Sequence, residues 1–211
     1  MELETPEAYY ARLVAHCDSD GRLPVAVEEM PGWDIFPYEV DSLRMKPLRP
    51  LADAEPPRKG ENPAECWCAT ASEGLPAWLG EVVWRNERWV LTADLHQGLP
   101  AFLTLIPVTH CDLATVPSDL AAEMGQLIAA IAAGVEALPS VGRVQLARWG
   151  DGGAHLHLAF LGRPARVLQF RGSPLLDWAE NLPAVPADVL RANALHVAAR
   201  VATVVGGELG H

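Results

Sequence analysis

Two histidines that flank a single leucine, His155 and His157, sit in the stretch Gly152-Gly-Ala-His-Leu-His-Leu-Ala-Phe-Leu161 and are the residues of this chain best placed to do chemistry. Read as a β-strand, the period of two sends His155, His157 and Ala159 to one face and Leu156, Leu158 and Phe160 to the other, with the histidine Cα atoms about 6.5 to 7 Å apart. A neutral imidazole attacks phosphorus and forms a covalent phosphoramidate when its second ring nitrogen holds its proton against an acceptor. Gly152 and Gly153 offer backbone N–H groups that an anion can approach with no side chain in the way. A His-x-His pair taken alone is also compatible with ordinary strand residues or a metal chelate, so its surroundings have to decide.

Those surroundings begin with the elements that must hold the pair. From Glu81 to Thr92, β-branched and aromatic residues flank Asn86-Glu87, which predicts a strand, a tight turn and a second strand. Ala101 to Pro107 is an apolar run of strand length ended by proline. After Pro117, the residues Leu120, Met124, Leu127, Ile128, Ile131 and Val135 recur at spacings of three and four, which predicts the long helix of the fold. Gly142 to Arg148 and Ala154 to Leu161 predict two further strands around the turn Trp149 to Gly153. Pro186 to Val205 predicts a C-terminal helix ending at Gly206-Gly207. Hairpins around a single intervening helix imply an α+β class with a mostly antiparallel sheet of five strands.

Outside that core, Thr5 to His16 reads as a short helix stopped by Asp18 to Gly21. Pro31 to Pro63 reads as a proline-rich arm in which Trp33, Phe36 and Tyr38 pack on the body. The expected organisation is an N-terminal helix and arm over residues 1–63, a core over 64–164 and a helical extension over 165–211. Phe170 and Trp178 of the extension are expected to pack rather than to line a pocket.

Composition narrows the function. A net charge of −11 in 211 residues argues against a basic face for long nucleic acids, and leaves room for a single nucleotide phosphate bound in a compact pocket. The acidic start Met1-Glu-Leu-Glu lacks the basic and apolar pattern of a secretory signal, and no run is long enough to span a bilayer, so a cytoplasmic protein is expected. Cys17, Cys66, Cys68 and Cys111, irregularly spaced, are expected as reduced thiols.

In order along residues 64 to 164, the chain resembles the histidine-triad (HIT) superfamily of nucleotide hydrolases and transferases. The resemblance is carried by Cys66-Trp-Cys68, the hairpin around Asn86, Leu105-Ile-Pro-Val-Thr-His110 before the long helix, and Gly150-Asp-Gly-Gly-Ala-His-Leu-His-Leu-Ala-Phe-Leu161. It implies that His157 is the nucleophile that becomes nucleotidylated, that His155 orients it and that His110 borders the site. It further implies hydrolysis of a nucleoside phosphoanhydride or phosphoramidate without a required cofactor, as a nucleotide phosphoramidase or dinucleoside polyphosphate hydrolase, in a homodimer.

Gly152, Gly153, Arg148 and Asp151 are the expected substrate contacts. Zinc, which some members bind through a Cys-x-x-Cys pair and histidines, is not expected, because the pair here has the shorter Cys-x-Cys spacing; its ligands would be Cys66, Cys68, His110 and His155. Two departures weigh against turnover. Ala159 stands where the family has its last triad histidine or a glutamine, and Ala147 falls near a usual asparagine. Loss of one donor to the reacting phosphate typically costs about a hundred- to a thousandfold. A nucleotide-binding or regulatory module is therefore the alternative to an enzyme.

Overall fold

The computed structural model describes residues 11, 14–15, 17–22, 47, 49–73, 75–179 and 182–210, with the side chains of 71–73 and 169 left out. The chain forms two compact units, Met1–Pro56 and Pro57–His211. In the first, the Asp18 carboxylate accepts from the backbone N–H of Asp20 and of Arg22, both at 2.9 Å, which makes the turn expected after the first helix. Arg22 forms an isolated antiparallel bridge with Pro47. Most of the Thr5–His16 segment and all of Trp33, Phe36 and Tyr38 lie outside the described residues.

The second unit is built on a sheet. Strands β1 (Glu81–Arg85) and β2 (Trp89–Ala93) form the expected hairpin, Arg85 pairing with Val90 and Trp84 with Leu91. Asn86 closes its turn, because the side-chain oxygen accepts from the N–H of Arg88 at 2.9 Å and of Trp89 at 2.7 Å. This is the local competition for backbone donors that favours Asn in turns. Strand β3 (Phe102–Pro107) follows, then helix α1 (Ser118–Glu136), β4 (Val141–Ala147), β5 (Leu158–Pro164), the short helix α2 (Leu175–Ala179), helix α3 (Ala187–Val205) and β6 (Glu208–Leu209). All strand pairs are antiparallel, in the order β4-β5-β3-β2-β1-β6.

The class is α+β as expected, but the sheet has six strands rather than five. The sixth is two residues long, too short to leave a pattern in sequence. It exists because the chain leaves α3 through Gly206 and Gly207, whose φ angles of 74° and 92° favour glycine. A Cβ on Gly207 would meet the indole nitrogen of Trp84 at 2.6 Å. That nitrogen donates to the Gly206 carbonyl at 2.8 Å, which fixes the tail against β1.

The two sheet faces differ. Leu103, Leu105, Leu158 and Phe160 point at α1 and α3, where Leu127, Ile131, Val135, Val197 and Val201 close the main core. Burying each such side chain contributes roughly 1.5–3 kcal/mol. The other face is covered at one end by a smaller apolar cluster, in which Phe102, Ala147, Ala159 and Leu161 lie beneath Phe170, Leu175 and Trp178. Phe170 and Trp178 touch with ring centroids 4.8 Å apart, and so pack as the sequence suggests.

Strand β5 begins at Leu158, not at Ala154, so His155 and His157 precede the strand instead of riding on it. Residues 152–154 are held elsewhere: Lys59 N donates to the Gly152 carbonyl at 3.2 Å, and Ala154 N donates to the Lys59 carbonyl at 3.0 Å, a parallel bridge. Leu156 N then donates to the Cys111 carbonyl at 2.8 Å. The alternation survives this detour, since Leu156, Leu158 and Phe160 all enter the main core. Among the described residues, no helix is long and apolar enough to cross a membrane.

Candidate functional site

The histidine pair sits where the 152–157 segment runs into β5 and faces a cavity of about 990 Å³. The Nδ1 of His157 lies 2.9 Å from the carbonyl oxygen of His155. A carbonyl only accepts, so Nδ1 carries the proton and the neutral ring has its lone pair on Nε2. His155 is 6 % exposed, and its Nε2 lies 2.7 Å from the Pro107 carbonyl, which fixes the opposite tautomer: Nε2 donates and Nδ1 holds the lone pair. Burial pushes the His155 pKa below its ordinary value, against the pull of the Pro107 carbonyl, and the neighbouring His110 and His157 push the same way. The ring is thus held neutral.

That free Nδ1 of His155 faces the Cys66 thiol at 3.3 Å. Next to it, the Cys68 sulfur lies 3.6 Å from Nδ1 of His110, and the His110 and His155 rings meet edge to face at 5.3 Å. One ligand atom from each of Cys66, Cys68, His110 and His155 can be chosen so that all four lie within 4.8 Å of one another. A tetrahedral zinc with Zn–S of about 2.3 Å and Zn–N of about 2.0–2.1 Å sets sulfur and nitrogen roughly 3.5 Å apart, so both S···N contacts fit as they stand. The Pro107 carbonyl on the far nitrogen of His155 is the outer partner that metal-bound histidines commonly have. The residues therefore fit zinc. As protonated thiols, Cys68 is pushed up to about 12 by burial and by Cys66, and burial also raises Cys111. Spacing argued against this ligand set; the fold assembles all four members.

Thr104 and Ile106 of β3 line the cavity on the sheet side, and Trp67, Trp78 and Trp149 line it as well. Trp67 lies over His155 with ring centroids 4.7 Å apart, whereas Trp78 is 71 % exposed and Trp149 is 45 % exposed at the rim. Arg58 and Lys59 bring positive charge to the wall. Arg58 is pinned, donating to the Asp112 carboxylate at 2.7 Å and to the Gly150 carbonyl at 3.1 Å. Arg148 pairs with the other oxygen of the same carboxylate. Burial alone would raise the Asp112 pKa, but the hydrogen bond from Arg58 and the charge of Arg148 hold it below the usual carboxylate value.

Of the residues singled out in sequence, His155, His157, Gly152 and Gly153 line the cavity together. A Cβ on either glycine would meet open space, so both are free of steric demands from the protein itself. His110 does not line this cavity; it belongs to the Cys/His cluster and to a smaller neighbouring pocket. Arg148 is engaged with Asp112, and Asp151 is exposed; neither lines the cavity. Ala159 is 4 % exposed and pairs with Thr104 on one side and with Ala147 on the other. Sequence reasoning missed Arg58, Lys59, Asp112 and the tryptophan rim. The cationic Arg58-Lys59-Gly60 directly after Pro56-Pro57 was the one available signal.

No protein-family model and no curated protein matches the chain. Among solved structures, it is similar to a HIT-like protein involved in cell-cycle regulation from Bartonella henselae, with a TM-score of 0.46 and 14 % identity over 62 % of this chain and 91 % of that one. It is also similar to a zinc-bound histidine triad family protein from Mycobacterium smegmatis, with a TM-score of 0.46 and 18 % identity over 64 % and 91 % of the two chains. A hypothetical histidine triad nucleotide-binding protein from Sulfolobus tokodaii gives 0.47 and 13 %, over 66 % and 95 %.

Proposed function

We propose that the chain is a HIT-like nucleotide hydrolase or transferase in which Nε2 of His157 attacks the phosphorus of a nucleoside phosphate. The observation that carries this reading is the 2.9 Å contact between His157 Nδ1 and the His155 carbonyl, which leaves Nε2 as the nucleophilic nitrogen. The bond from Nε2 to phosphorus forms as the bond to the leaving group breaks, and water then cleaves the nucleotidyl–histidine. The contact is local, so the ring is oriented before substrate arrives. Lys59 and the backbone at Gly152 and Gly153 supply positive potential for the phosphate, and the tryptophans supply flat apolar surface for a base.

Cys66, Cys68, His110 and His155 would hold zinc. Bound there, it would supply a structural cross-link between the 66–68 turn, the loop after β3 and the histidine segment. His155 then serves twice, its ring in the cluster and its carbonyl on His157.

A second reading, a nucleotide-binding module without turnover, is favoured by Ala159 and Ala147, which lie in an apolar cluster and carry no donor for a phosphate. Two assays separate the readings. Release of nucleoside monophosphate from an activated ester that His157→Ala abolishes supports the enzyme; saturable binding by calorimetry with equal, background release from both proteins supports the module. Neither binding nor release would sink both. The resemblance also implies a homodimer, which sedimentation would test.

A further inference from the structure

Part of the cavity wall comes from chain ahead of Cys66. Directly after Pro56-Pro57, Glu61 N donates to the Arg58 carbonyl at 3.2 Å and Arg58 N donates to the Glu61 carboxylate at 3.1 Å, which makes a tight turn. Gly60 completes it at a φ of 72°, packed so that a Cβ there would meet the Cys66 sulfur at 3.2 Å. Lys59 uses its N–H and its carbonyl to bond the backbone of Gly152 and Ala154, so Arg58, Lys59 and Gly60 line the same cavity as Gly152 and Gly153. A surface turn held by a few backbone bonds opens easily unless something else anchors it.

Asp112 is that anchor. Its Oδ2 accepts from Arg58 at 2.7 Å, and its Oδ1 accepts from Leu113 N at 2.7 Å and pairs with Arg148. Arg58 donates in addition to the Gly150 carbonyl at 3.1 Å. The Arg148 guanidinium lies so close to Gly150 that an added Cβ would collide with it. One carboxylate therefore ties the loop after β3 to the 58–61 turn and to the 148–150 turn through charge-assisted bonds.

We infer that Asp112 and Arg58 are positioning residues for phosphate binding: their ion pair holds the 58–61 turn against Gly152-Gly153, and neither side chain binds the ligand directly. The inference rests on the proposed function for what fills the cavity, a nucleoside phosphate, and adds residues outside the histidine segment to its site. Asp112→Asn isolates the clamp, because an asparagine Oδ1 still serves Leu113 N and Arg148 while its Nδ2 faces Arg58 donor to donor. The sign of the effect is diagnostic. By charge alone, removing a carboxylate beside an anion site tightens binding of the anion, whereas releasing the turn weakens it.

The test titrates the full chain, Asp112→Asn, Arg58→Met and the double variant with adenosine monophosphate by calorimetry, each shown by its melting curve to be folded at the assay temperature. Single-turnover release from the p-nitrophenyl ester of the same nucleotide is followed alongside. Each single variant is expected to raise Kd about tenfold, the loss that goes with one charged hydrogen bond. The double variant should bind no more weakly than either single one, since both break the same clamp. At saturating ester the release rate should stay within about threefold of wild type, because the His157 ring is oriented by its own local contact.

Unchanged or tighter binding by Asp112→Asn overturns the inference, as does a double variant that loses the product of the two single losses. A saturating rate that collapses while Kd holds also overturns it, by placing the pair on the chemical step. Release no faster than from His157→Ala removes the proposed function and leaves calorimetry to decide the clamp. A wild type that does not bind adenosine monophosphate overturns the inference, while release that depends on His157 would keep the proposed function standing.

Discussion

Two carbonyl oxygens decide the chemistry of the histidine pair. The His155 carbonyl takes the proton side of His157, and the Pro107 carbonyl takes the proton side of His155, so adjacent rings are locked into opposite tautomers with different tasks. One keeps a nitrogen for the cavity; the other turns a nitrogen towards Cys66. The second arrangement makes a concrete metal prediction. Purified protein should carry about one zinc per chain, and Cys68→Ser with His110→Ala should carry close to none. A chelator should lower the melting temperature of the wild type and leave that of the double variant unchanged. Protein that is metal-free and melts at one temperature with or without added zinc would remove the cluster from the account.

At the scale of elements, the helix pair that backs the sheet offers a comparison within one helix. Gly134 on α1 faces α3 so closely that an added Cβ would meet a methyl of Val197 at 2.9 Å, whereas a Cβ at Gly125 would meet nothing within 4 Å. Both substitutions to alanine gain helix propensity of about 1 kcal/mol. At Gly125 that gain stands alone, and Gly125→Ala should raise stability by about 0.5–1 kcal/mol in denaturant unfolding. At Gly134 the stiff β-branched Val197 must be displaced, overpacking costs about 1–3 kcal/mol, and Gly134→Ala should be destabilising.

The bidentate pair of Arg191 on α3 with Glu81 on β1, at 2.7 and 2.6 Å, ties the same helix to the sheet edge. Arg191 holds the Glu81 pKa below its ordinary 4.5. The folded state therefore favours the ionised form: the stabilisation is present above pH 4.5 and lost as pH falls through the lower folded value. As both side chains are partly exposed, solvent screens the pair and its contribution is small. The gap in unfolding midpoint between wild type and Glu81→Gln should be small at neutral pH and close below pH 4.5, and a gap that widens on acidification would contradict the linkage.

Across the whole molecule, what was legible in sequence follows the range of the interactions. The Asn86 turn, the apolar spacing of α1 and the alternation through Phe160 are local signals, and each element stands within a few residues of where its pattern puts it. The start of β5 was misread because Gly153 is claimed by Lys59, almost a hundred residues away in sequence, and no local pattern records that bridge. Likewise the Cys/His cluster draws on four positions between 66 and 155, and the tryptophan rim on positions 67, 78 and 149; only the fold gathers them. Ala159 was visible as a departure, but the apolar cover over it, supplied by Phe170 and Leu175 of the extension, was not. In a chain of net charge −11, the cationic Arg58 and Lys59 on the cavity wall suit a small anion rather than a long nucleic acid.

The most direct measurement is intact-protein mass spectrometry of rapidly quenched mixtures of the chain with the p-nitrophenyl ester of adenosine monophosphate. The account predicts a transient increase of one adenylyl group in the wild type, mapped to His157 and absent from His157→Ala. Turnover with no adduct at any quench time, or an adduct that persists in His157→Ala, would contradict it.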